Sequence, residues 1–128
     1  MSRISKLYLF NYGGPIAVMN FQKDTVNIIT RFEDDKLLEG MAVVASLIRK
    51  FHDKKMFVLK DYVGYMGEKY IAVAVPEKTR FTPSILGLLR KIVLKLDLIG
   101  DVPVSTLARI AINELFGSEE DRYKIVIK

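Results

Sequence analysis

Residues 6–21, KLYLFNYGGPIAVMNF, hold two β-prone runs, Lys6 to Phe10 and Ile16 to Phe21, on either side of Asn11-Tyr12-Gly13-Gly14-Pro15. The intervening residues supply the positive and the fixed φ angles that a tight turn uses, so the stretch predicts a hairpin. Its strands do not alternate apolar with polar. Leu7 and Leu9 face one way and Tyr8 and Phe10 the other. A strand that is apolar on both faces must be covered on both faces, which calls for a sheet held between helices.

The rest of the chain supplies those helices. From Asp34 the apolar period lengthens to about 3.6, with Leu37, Met41, Val44, Ile48 and Phe51 on one stripe. Asp34 or Asp35 caps the start, and Arg49 and Lys50 suit the negative end of the dipole, so a helix is predicted over Asp35 to His52. Lys55 to Leu59, Tyr62 to Met66 and Lys69 to Val75 follow as a three-strand meander, with Gly67-Glu68 as a two-residue hairpin signal. Thr82-Pro83 opens a second helix, striped by Ile85, Leu88, Leu89, Ile92, Val93 and Leu96. A third runs from Val104 through Leu107, Ala108, Ala111, Ile112 and Leu115 to a glycine cap at Gly117. Ser118 to Arg122 is a charged connector, and Tyr123 to Lys128 is a β-prone tail, expected as an extra strand on an open sheet edge in its own subunit or in a neighbour. Gln22 to Glu33 is too apolar for a plain loop, because of Val26, Ile28, Ile29 and Phe32, and is expected to hold an extended strand or a short helix.

The order β-β-α-β-β-β-α-α, with Asp61-Tyr62 in the meander and Tyr70-Ile71-Ala72-Val73-Ala74-Val75 closing it, resembles the longin fold over roughly Ile4 to Gly117. It is similar to the longin domains of SNAREs and of TRAPP-type subunits, and to the small chains of clathrin adaptors. The resemblance implies an α+β, profilin/longin-like single domain over residues 1–117, with a five-stranded antiparallel sheet and helices on both faces. Residues 118–128 would form the connector and tail. The longer segment Gln22 to Glu33 departs from the pattern, and no SNARE heptad segment follows Gly117, which suggests a stand-alone longin protein rather than a fusion SNARE. The class of activity implied is non-enzymatic: an adaptor or regulator for a small GTPase, a tether or a coat subunit in trafficking or polarity, with a homodimer among the associations expected.

Composition and motifs agree with a binding role. The 128 residues, 50% hydrophobic and 27% charged, suit one globular domain with its own core. The net charge of +5 is spread along the chain rather than gathered in a stripe, which argues against nucleic acid. With no cysteine, no signal peptide pattern and no apolar run of about 18 residues, a cytoplasmic location without a transmembrane segment is expected, membrane association coming only through partners. No catalytic residues, cofactor or metal site are expected. The single histidine, His52, sits at a helix end; Asp34-Asp35 reads as a cap, and Glu119-Glu120-Asp121 as a solvated connector. No phosphate-binding glycine motif is present, and Gly13-Gly14 falls between strands.

One surface has physical content of its own. The outward face of the first helix carries Asp35, Glu39, Ala42, Val43, Ser46, Arg49 and Lys50, with small residues at the centre and charges at the rim. Small side chains let a partner backbone approach, and rim charges set register, so Glu39, Ala42, Val43, Ser46 and Arg49 are the candidate partner-binding residues. Two other classes remain: a small-ligand sensor of profilin- or PAS-like architecture, which needs a cavity with convergent polar groups, and an RNA-binding module, which would show salt-dependent retention.

Overall fold

The computed structural model describes residues 4–32, 35–77, 83–117 and 124–127. Ten elements follow one another: β1 (Ile4–Asn11), β2 (Gly14–Phe21), β3 (Thr25–Ile29), α1 (Asp35–Lys50), β4 (Met56–Val58), β5 (Val63–Met66), β6 (Tyr70–Pro76), α2 (Pro83–Ile99), α3 (Val104–Phe116) and β7 (Lys124–Ile127). The strands form one seven-stranded sheet in the order β4-β5-β6-β1-β2-β3-β7. The α+β class, the hairpin, the meander and the three helices are as expected. The five-stranded antiparallel sheet and the longin-like order β-β-α-β-β-β-α-α are not: β3 precedes α1, β7 follows α3, and the resulting seven-stranded sheet is mixed. Thr25 to Ile29 alternates Val26 and Ile28, both fully buried, with half-exposed neighbours, and so extends the sheet beyond β2. The tail then adds to β3 of its own chain in a parallel register, Val26 opposite Ile125 and Ile28 opposite Ile127. Asp34, Thr82, Tyr123, Lys128 and the connector Ser118 to Arg122 lie outside the described residues.

The two faces of the sheet are packed differently. On one, α2 and α3 bring Leu89, Ile92, Leu96, Ala108 and Ile112 down onto Leu7, Leu9, Ala17, Met19, Val63, Ala72 and Ala74. On the other, α1 alone brings Met41 and Val44 onto Tyr8, Phe10, Val18, Phe57, Met66, Ile71 and Val73. Leu7, Leu9 and Tyr8, Phe10 therefore serve opposite cores, as the doubly apolar hairpin required. Among the described residues no polar or charged residue is buried, and no helix is long and apolar enough to cross a membrane. At α3 the chain stops where expected: Gly117 takes φ 56° and its N–H donates to the Asn113 carbonyl.

Phe57 shows how tightly the α1 side is fitted. Its ring lies across Gly64 of β5 and stacks on Phe51 at 5.1 Å between centroids, so a methyl group at 64 would enter the ring's space. Gly64→Ala is expected to cost about 1–3 kcal/mol by overpacking, whereas Gly87→Ala, where a methyl group meets nothing within 4 Å, should gain up to about 1 kcal/mol of helix propensity. Urea midpoints of the two variants check both signs. Burial, and then neighbouring Tyr62, raise the Tyr8 hydroxyl above its ordinary value. The folded state thus holds that proton more tightly than the unfolded chain. Its contribution to stability is whole below about pH 10 and is lost as pH rises through the folded value. Between about pH 8 and about pH 11, Tyr8→Phe should therefore lose less stability than the wild type in urea titrations.

Candidate functional site

Helix α1 is amphipathic, and burying Met41 and Val44 turns the opposite residues outward. All five candidates, Glu39, Ala42, Val43, Ser46 and Arg49, are exposed, as are Asp35 and Lys50. Leu38 and Val43 are 44% and 46% exposed, so the face carries apolar as well as small side chains between its charges. Arg49 Nη2 donates to Ser46 Oγ over 3.3 Å, which lays the guanidinium back along the helix.

Arg49 also belongs to a second feature. A groove of about 430 Å³ opens between the C-terminal half of α1 and the β1–β2 turn, with Phe10, Pro15, Ala45, Ile48 and Ile71 as its apolar lining and Tyr12, Arg49 and His52 among its polar groups. No acidic side chain is among the residues lining it. His52 Nδ1 lies 2.8 Å from the Arg49 carbonyl oxygen. A carbonyl only accepts, so Nδ1 is the donor in this contact and Nε2 is turned away from it. The exposed surface thus runs from small and apolar residues on the outside of α1, past Arg49, into an apolar groove with an arginine and a histidine but no acid among its lining residues. Such a surface accepts an apolar side chain accompanied by a carboxylate. Sequence periodicity locates the helix face but not the groove, because the groove joins residues of the hairpin to residues of α1 far along the chain, such as Pro15 and Ala45.

The hairpin tip that closes the groove is held from elsewhere. Asn11 Oδ1 accepts from the Gly13 N–H at 2.8 Å, and the Tyr12 hydroxyl donates to the Gly67 carbonyl at 2.6 Å. Burial, and then the Asp97 carboxylate, raise the Tyr12 hydroxyl above its ordinary value, so it remains a donor at neutral pH. Asp97 of α2 in turn accepts from three successive amides of the β5–β6 turn, Glu68 at 2.9 Å, Lys69 at 3.0 Å and Tyr70 at 2.9 Å.

A second groove, of about 420 Å³, lies on the other side of this turn, where Leu94 and Leu98 of α2 face Lys55, Tyr65 and Met66. Leu98 is 86% exposed and Leu94 44%. The stripe predicted for α2 did not include them. Their signal was present as an apolar pair four residues apart on the helix side opposite Leu89 and Val93. Among the described residues no three His, Cys, Asp or Glu side chains lie close enough to share a metal ion.

Asp97→Asn keeps one acceptor oxygen but loses the charge that strengthens three bonds. Stability should fall by about 1–3 kcal/mol. The amides of Glu68, Lys69 and Tyr70 should exchange with solvent faster than the other strand amides, which hydrogen-exchange NMR reads directly.

No family model, no curated protein and no solved structure matches the chain.

Proposed function

We propose that this chain is a non-catalytic protein-interaction module that grips its partner across the outward face of α1 and the groove beside it. The observation that carries the reading is the continuity of the two at Arg49: the exposed line through Glu39, Ala42, Val43 and Ser46 leads into a groove that is apolar within and contains no acid. In this reading a partner helix or strand lies along α1, close to it at Ala42. Its register is set by Glu39 and Arg49, while an apolar side chain next to a carboxylate enters the groove by Arg49 and His52. The longin resemblance supplies the setting, a cytoplasmic adaptor or regulator whose partner is a small GTPase, a tether or a coat subunit. A second reading, a small-ligand sensor, draws on the same groove, whose volume, Arg49 guanidinium and His52 imidazole suit a small apolar carboxylate.

Photo-crosslinking side chains placed at Ala42 and Arg49, with a control at exposed Thr106 on α3, separate these readings in native lysate. The module should give one protein adduct from the α1 positions, absent at Thr106 and abolished by Ala42→Arg with the melting temperature unchanged. A small ligand that copurifies, and leaves when Arg49 is replaced by Glu, would favour the sensor. Equal adducts from α1 and α3 would sink the interface.

A further inference from the structure

We propose that the open edge of β4 is a second docking site, separate from the α1 surface, which takes an extended segment of another protein as an eighth strand. The inference begins with hydrogen-bond parity. Leu59 N–H donates to the Tyr62 carbonyl at 2.8 Å, and Met66 N–H donates to the Lys55 carbonyl at 2.7 Å. Between these anchors the register pairs Met56 with Tyr65, Phe57 with Gly64 and Val58 with Val63. In an antiparallel ladder alternate residues turn their N–H and C=O toward the partner strand. Residues 55, 57 and 59 therefore spend theirs on β5, and Met56 and Val58 turn theirs away from the sheet. Among the described residues no strand pairs on that side. Such a row of outward groups is what an added strand uses.

The side chains define what that strand must carry. Met56 and Val58 are 45% and 42% exposed. Their partners Tyr65 and Val63 belong to the core under α2 and α3, so both side chains stand on the α2 face, at the strand beyond those α2 covers. The groove of Leu94 and Leu98 adjoins that face. An added strand with apolar residues at alternate positions would cover Met56, Val58 and this groove together.

Charge selects the occupant. Lys54 and Lys55 precede the strand and Lys60 follows it, all exposed, with Asp53 and Asp61 one position further out. A second copy of this chain, paired antiparallel about Phe57, would set Lys54 of each strand opposite Lys60 of the other, an unfavourable pairing. A segment with acidic ends is favoured instead.

The test uses the full chain and synthetic peptides of about nine residues, with valine and threonine alternating between acidic ends. The expected result by NMR titration is saturable binding, with shifts centred on Met56 and Val58, and binding about tenfold weaker for a lysine-ended peptide. Lys54→Glu combined with Lys60→Glu should invert that order without changing the melting temperature. N-methylation of alternate peptide amides should abolish binding in one register and spare it in the other, as edge parity demands, and Ala42→Arg should leave binding unaffected. The proposal is overturned if the acid-ended peptide does not bind, if both methylated registers behave alike, if the shifts fall on β7, or if the chain itself dimerises through β4.

Discussion

The carboxylate of Asp97 holds together parts of the molecule that the sheet alone would leave loose. It lies near the end of α2 and takes three consecutive amides of the β5–β6 turn, groups that a tight turn exposes and that a charged acceptor binds better than water-competed neutral ones. The helix is thereby fixed over β5 and β6. Tyr70, whose amide is one of the three, sends its hydroxyl to the Gly100 carbonyl at 2.7 Å and anchors the helix end. The same turn receives the Tyr12 hydroxyl from the first hairpin. Both grooves are bounded by this knot, one by Tyr12 and the other by Asp97 and Gly67, so the geometry of either groove depends on this one carboxylate.

The two sheet faces are lined differently, and the groove beside α1 follows from the difference. Under α2 the sheet offers Ala72 and Ala74, and small residues let the helix sit close to β5 and β6. Under α1 it offers Tyr8, Phe10, Phe57 and Met66. These large side chains hold the helix away from the strands, and at the C-terminal half of α1 the space between them opens as the groove by the hairpin tip. The tyrosine hydroxyl of Tyr8 comes up against Gly40, where a larger residue would push the helix further out.

What the sequence made legible was local. Hairpin, meander and helices follow from turn residues and from periods of two and 3.6, and the exposed line of α1 follows from the same periodicity as its buried one. Val26 and Ile28 revealed an ordered segment after β2 without settling its type. The partner and direction of β7 were not legible, because parallel pairing with β3 depends on where α3 delivers the chain and on which edge is free. Asp97 reads as one more polar residue on a helix, since its three amides lie 27 to 29 positions away. Leu94 and Leu98 were hidden by the strength of the buried stripe beside them.

The pairing of β3 with β7 also sets a clock. Thr25 and Lys124 are partners in the ladder, yet during synthesis the second follows the first by roughly a hundred residues, about 5 to 20 s at ordinary elongation rates. Through that interval β3 has only β2 beside it, and its outer edge is bare while α1, the meander and two more helices are being made. Closing so long a loop is slow and comes late. Until Lys124 to Ile127 has been made that edge of β3 stays unpaired, and β7 then occupies it from within the same molecule.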